Sequence, residues 1–185
     1  DRRRFLGSEA TEADAYMNSP VRCGFKTTVG GVSYAAETVH LSAPYIYARV
    51  AEAMELEPGM SFLNVGAGIG YFSSIIAHIL GKTSAVHGIE IRADLCEAAQ
   101  ALADEFSATT PAARMTFVAG NAFHLNLGTN MLYDRIYVGG GVPNHTAQFF
   151  KRLVRPGGIL MGPFSDELRK WVVPKPGEPE PRETR

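Results

Sequence analysis

The chain has 185 residues, 45% of them hydrophobic and 20% charged, a globular composition that excludes wholesale disorder. With 18 basic and 19 acidic residues the formal net charge is −1, which argues against a strongly basic nucleic-acid binder. No apolar run approaches ~20 residues, so no membrane-spanning helix is expected. The two cysteines, Cys23 and Cys96, sit in no metal-ligand spacing and fit a reducing compartment, the cytoplasm.

Residues 1–36 mix Gly, Ser, Asn and Pro and read as an irregular leader, with a turn at Gly30-Gly31 and a solvated basic terminus at Arg2-Arg3-Arg4. A regular domain is expected over 37–173. Ser42 reads as an N-cap with Pro44 in the first turn, followed by Ile46, Val50 and Met54 at helical spacing. Pro58-Gly59 closes that helix. Met60–Val65 reads as a buried strand, Tyr71–Leu80 as a helix stopped by Gly81, and Ala85–Ile91 as a strand. Ala93–Phe106 reads as a helix, and Met115–Ala119 and Asp134–Val138 as strands. Pro143–Val154 reads as a helix and Ile159–Pro163 as a strand, with a last candidate strand at Leu168–Val173. Pro174–Arg185 holds four prolines and six charged residues in twelve positions and is expected to be a flexible tail or linker.

Strands alternating with helices point to an α/β fold, a doubly wound and mostly parallel sheet. The densest chemical signal is Phe62-Leu63-Asn64-Val65-Gly66-Ala67-Gly68-Ile69-Gly70-Tyr71, a strand running through Gly-x-Gly-x-Gly into a helix. Glycines there permit a tight turn and close approach of a ligand to the backbone, and the helix start offers free N–H groups. Glu90 ends the next strand, twenty residues after Gly70, where a carboxylate can accept both hydroxyls of a ribose. A dinucleotide fingerprint wants Gly-x-Gly-x-x-Gly, and Tyr71 stands where its last glycine belongs. The spacing therefore favours S-adenosylmethionine over a nicotinamide dinucleotide.

Several segments in order resemble the protein-L-isoaspartate O-methyltransferases. Thr38 to Ala48, with Ser42-Ala43-Pro44, looks like their Thr-Ile-Ser-x-Pro signature, and the glycine loop looks like their first motif. Val118-Ala119-Gly120-Asn121-Ala122, Tyr133 to Gly139 and Leu153 to Leu160 resemble their later motifs. His40-Leu41-Ser42-Ala43-Pro44 and Leu63-Asn64-Val65-Gly66 are most similar to the eukaryotic branch called PCMT-domain-containing proteins, whose extension links some members to ubiquitin-ligase machinery. The resemblance implies a methyltransferase fold and methyl transfer to an isoaspartyl carboxylate in peptides or damaged proteins. It implies that Ser42 lies beside the methyl group, that Gly66, Gly68 and Gly70 contact the methionine part, that Glu90 holds the ribose, and that Asn121 meets the adenine. Asn64 and Asn121 stand where the family usually carries acids, and His40 where it usually carries Thr. An amide accepts a hydrogen bond but offers no charge to a cationic cofactor. A rival reading is thus a methyltransferase-like binding module with little turnover.

His78, His87, His124 and His145 show no metal spacing, Asp134 reads as fixing a turn, and Cys96 as an inert core thiol. Five strands and a doubtful sixth leave an open sheet edge, since Pro174–Arg185 cannot supply a central strand. A longer chain, the leader or a partner protein is expected to cover it.

Overall fold

The computed structural model describes residues 1–8, 10–125 and 131–179. After a 3-10 turn at Arg2–Phe5 and a short helix α1 (Glu12–Tyr16), β1 (Val21–Val29) and β2 (Val32–Leu41) form an antiparallel hairpin. Then follow α2 (Pro44–Ala53), β3 (Ser61–Val65), α3 (Tyr71–Leu80), β4 (Ala85–Glu90), α4 (Ala93–Thr109) and β5 (Arg114–Ala119). The chain continues through β6 (Tyr133–Val138), α5 (Ala147–Lys151), β7 (Val154–Phe164) and β8 (Glu167–Val172). A six-stranded sheet runs in the order β5-β4-β3-β6-β7-β8, parallel except for β8, which pairs antiparallel with β7. The chain winds outward from β3 through β4 to β5, then returns to the other side of β3 as β6. This reversal opens a crevice at the carboxyl ends of β3 and β6, where open α/β sheets bind ligands.

The α/β expectation holds, and all six expected strands are present. The sheet is covered on both faces, so its central strands are apolar on both sides. In β3, Phe62 packs with Phe72, Ile76, Val86 and Met115 in one layer, while Leu63 and Val65 pack with Ile136, Phe150, Leu160 and Phe164 in the other. The Ser165-Asp166 turn has positive φ at both residues (47° and 66°), the geometry that folds β8 tightly back onto β7.

The leader is not irregular. Gly30 and Gly31, at φ 56° and 82°, make a two-residue hairpin turn, and β2 runs past the expected boundary to Leu41. Phe5, Leu6, Phe25, Val39 and Leu41 close over Ile69, Leu95, Ala98 and Leu102. The N-terminal segment therefore belongs to the core beside α4 and does not cover the β8 edge. Nor is its basic run wholly solvated, since Arg2 is buried.

Other expectations shift locally. Ser42 is not the N-cap of α2: Ala43 holds that position, without a side-chain cap, and Pro44 follows as first helical residue. The helix ends at Ala53, before Pro58-Gly59. The expected helix at Pro143–Val154 is a 3-10 turn (Asn144–Thr146) followed by the short α5. It stops because the Leu153 carbonyl accepts from Tyr133 N–H (2.9 Å) and Val154 enters β7. Residues 174–179 carry no helix or strand, and 180–185 of the expected tail lie outside the described residues.

Candidate active site

The glycine loop is set by backbone bonds. Gly66 and Ala67 donate N–H bonds to the Ile89 carbonyl (2.9 and 3.1 Å), and Gly139 N–H, after β6, bonds the Val65 carbonyl (2.6 Å). The loop after β3 is thereby tied to the end of β4, and the loop after β6 to the end of β3, around the crevice. The three glycines do different work. Gly66 has φ 72° and faces Gly140, whose nitrogen lies 3.2 Å from where a Cβ would stand. Gly68 has φ 56° and open space at that point, and it lines the cleft. Gly70, at φ 82°, starts α3 and packs where a Cβ would come within 2.9 Å of Phe117 and 3.3 Å of Ala99. Its role is packing of helix on sheet, and it does not line the cleft.

The cleft has a volume of about 380 Å³, in the size range of small-ligand sites. Ser42, Asn64, Gly66, Gly68 and Glu90, all anticipated from the sequence, share its lining. The Glu90 carboxylate accepts from Gly68 N–H (2.8 Å) and Arg92 N–H (3.1 Å). A carboxylate has about four acceptor positions, so it keeps capacity for two further hydroxyl donors. Asn64 is buried, donates from Nδ2 to Ser73 Oγ (3.0 Å), and leaves Oδ1 without a partner among the described residues. That orphaned acceptor suits a ligand's donor. Asn121 lies elsewhere: it is exposed, and its Oδ1 accepts from Phe123 N–H (3.0 Å) to cap a 3-10 turn after β5. It lines no part of the cleft.

The opposite wall comes from the hairpin, including Arg22, which no motif named. Arg22, Thr38 and His40 reach it from the hairpin, with Arg22 and His40 directly paired across β1 and β2. Burial and the Arg22 charge push the His40 imidazole below its ordinary pKa, so it is neutral at pH 7. Tyr47 Oη accepts from Ser42 N–H (2.9 Å), and burial pushes its own ionisation up. The signal for the hairpin was present: Val21, Cys23, Phe25 and Thr27 alternate with polar residues or glycine up to the Gly-Gly turn. Arg2 carried no such signal.

A larger groove of about 1000 Å³ lies between the N-terminal segment and α4, where Arg4 forms a two-point ion pair with Glu105. Volume does not select the site, since the converging backbone donors and the buried polar groups are in the smaller cleft. Outside it, Asp134 accepts from Ser61 N–H and Oγ–H (2.8 and 2.7 Å) and pairs with Arg155, fixing the start of β6 to β3. His87 bonds Tyr133 (2.7 Å), and Cys96 is a buried thiol whose pKa burial raises. Among the described residues no cluster of ligating side chains suits a metal ion, and no helix is long and apolar enough to cross a membrane.

Residues 1–175 match the family described as protein-L-isoaspartate(D-aspartate) O-methyltransferase (PCMT). The chain belongs to that family. Its match begins at residue 1 and so includes the hairpin as well as the sheet. Protein-L-isoaspartate O-methyltransferases of Methanococcus maripaludis and Archaeoglobus fulgidus are 29% and 26% identical to it over 88% and 92% of the chain, and 68% and 69% of their own lengths. A solved protein-L-isoaspartate O-methyltransferase superposes on the whole chain with a TM-score of 0.71 at 22% identity, and the chain spans 56% of it. A solved methyltransferase from Thiobacillus denitrificans, in complex with S-adenosyl-L-homocysteine, matches 65% of this chain with a TM-score of 0.53 at 22% identity. The family's sheet, with its crevice at the carboxyl ends of β3 and β6, is the frame on which Ser42 and Glu90 face one cavity.

Proposed function

We propose that the chain is an S-adenosylmethionine-dependent protein carboxyl O-methyltransferase acting on L-isoaspartyl residues. The observation that carries this reading is the meeting of Ser42 with Gly66, Gly68 and Glu90 in one cleft of a family member. The residues present fit the cofactor. Gly68 leaves room beside the backbone, Glu90 keeps acceptor capacity for ribose hydroxyls, and the orphaned Asn64 Oδ1 awaits a donor such as the methionine ammonium. The cofactor supplies an electrophilic methyl group. The acceptor carboxylate is ionised at neutral pH and already nucleophilic, so the protein must position it and exclude water. The Ser42 hydroxyl orients the carboxylate, while Tyr47 fixes the Ser42 backbone.

The test is transfer of labelled methyl to an isoaspartyl peptide and to its aspartyl isomer. Base-labile label on the isoaspartyl peptide alone is expected, and label on neither overturns the reading. Asn64 favours a second reading, a binding module with little turnover: the buried amide accepts a hydrogen bond but offers a cationic cofactor less than the carboxylate usual in the family would. S-adenosylhomocysteine binding without methyl transfer would mark it. We further infer that the chain falls in the PCMT-domain-containing branch, on His40-Leu41-Ser42-Ala43-Pro44 and Leu63-Asn64-Val65-Gly66. A strand from a partner or a longer chain would then cover the free side of β8. Sedimentation as a stable monomer would count against that cover. The free thiols of Cys23 and Cys96 support a cytoplasmic location.

A further inference from the structure

The chain buries two guanidinium groups and treats them differently. Arg135, 7% exposed, is satisfied by backbone carbonyls: Nε bonds Met54, Nη1 bonds Asp134 (2.9 Å) and Nη2 bonds Glu55 (2.9 Å). It tethers the end of α2 to β6, a structural task. Arg2, 1% exposed, has a single bond, from Nη2 to the carbonyl of Ser42 (2.8 Å). Its Nε and Nη1 are buried without a partner among the described residues. Its neighbours are paired at the surface, Arg3 with Asp1 and Arg4 with Glu105. An unpaired buried cation is among the costliest arrangements in a fold.

What Arg2 touches gives the cost a purpose. Its guanidinium lies 5.8 Å from the centroid of the Tyr71 ring, a favourable cation–π distance. Ser42, Tyr47 and Tyr71 all line the cleft, and Arg2 sits behind that wall. Arg2 and Tyr47 together hold both backbone polar groups of Ser42, the carbonyl and the N–H respectively. The tyrosines are neutral and so is His40. Arg22 and Arg92 also line the cleft, Arg92 paired with Asp94. Glu90, the one acidic side chain of the lining, accepts from the Gly68 and Arg92 N–H groups.

We propose that Arg2 is a positioning and specificity residue for the methyl acceptor: it fixes the Ser42 backbone, and its unneutralised charge selects a carboxylate over a neutral amide. The acceptor carboxylate serves as the counter-ion that the described residues do not supply. This rests on the carboxyl-methylating activity proposed above.

The experiment compares wild-type, Arg2→Met and Arg2→Lys chains with an isoaspartyl peptide as acceptor, alongside calorimetry with S-adenosylhomocysteine. Arg2→Met is expected to raise the acceptor KM about tenfold or more, to change kcat little, and to leave S-adenosylhomocysteine affinity within about twofold. Arg2→Lys is expected to recover most of the KM, because charge is what selects. A purely structural Arg2 would instead lower both affinities together with no recovery by lysine, and that pattern overturns the proposal, as does an unchanged KM in Arg2→Met. Should Arg2→Met not fold, the wild-type chain decides alone: it is expected to bind the isoaspartyl peptide at least about tenfold tighter than the analogue with a carboxamide in place of the reacting carboxylate. Equal binding overturns the proposal. A wild-type chain that methylates the peptide while failing these comparisons sinks this inference only. One that transfers no methyl sinks the activity, and the role of Arg2 with it.

Discussion

The two walls of the cleft are made of different material. The wall after β3 and β4 is largely backbone: the glycine loop, its bonds to the Ile89 carbonyl, and one carboxylate held by two N–H groups. The facing wall is built of side chains: Arg22, Thr38, His40 and Ser42 line it, and Arg2 holds Ser42 from behind. A backbone-built wall depends on what is missing, since a single Cβ can fill it. A side-chain-built wall depends on each remote group staying paired. The first suits a ligand common to a whole fold, the second an acceptor particular to a family.

The largest expected effect breaks the backbone wall from behind. Gly70→Val adds a side chain at φ 82°, against Phe117 at 2.9 Å and Ala99 at 3.3 Å. It should cost about 3 kcal/mol or more of stability in denaturant unfolding. A loss under about 1 kcal/mol would show that α3 can slide on β5 and that Gly70 is not a packing residue.

These walls also differ in how far the sequence discloses them. The glycine loop, its strand and its helix are consecutive residues, so local pattern is enough, and Glu90 follows at a fixed interval because β4 is the next strand of the winding. The hairpin is legible in its alternation and Gly-Gly turn, yet its many polar residues mask that signal, because only one face is buried. Arg2 is not legible: nothing local separates it from Arg3 and Arg4, and only tertiary packing turns it inward. Asn121 differs in the opposite way. Its motif is in place, but its Oδ1 caps the turn that follows β5, outside the cleft lining.

Glu90→Gln sharpens the comparison next. It removes the charge from the acceptor of Gly68 and Arg92 N–H, and should weaken S-adenosylhomocysteine binding by about 1.5–3 kcal/mol in calorimetry. Unchanged affinity would mean that the loop holds the ligand without the carboxylate. Tyr47→Phe tests the other wall. It leaves Ser42 N–H without its acceptor and should cost about 1 kcal/mol of stability. It should lower methyl transfer to peptide while S-adenosylhomocysteine affinity stays within about twofold. Equal losses in both would erase the division between the walls.

The smallest effect lies in the supporting sheet. Burial pushes the Asp134 carboxyl up, but the Ser61 N–H and hydroxyl and the Arg155 charge outweigh it and hold the pKa below the ordinary value. A carboxyl lowered in the folded state gives stability that is full above its unfolded pKa, near 3.9, and that disappears as pH falls through the folded value. Asp134→Asn should therefore flatten the acid limb of the stability curve below about pH 4 and leave its shape between about pH 6 and 8 unchanged. An identical acid limb in the variant would assign acid unfolding to other carboxylates.

Of the three glycines in the loop after β3, Gly68 alone lines the cleft with open space where a Cβ would stand. A calorimetric titration of S-adenosylhomocysteine into the wild-type chain and into Gly68→Val tests the cofactor assignment of the cleft most directly. One-to-one binding to the wild type is expected, and none to a variant that still unfolds cooperatively, destabilised only by about 1–2 kcal/mol for a side chain at φ 56°. No binding by the wild type, or equal binding by a folded Gly68→Val chain, would contradict it.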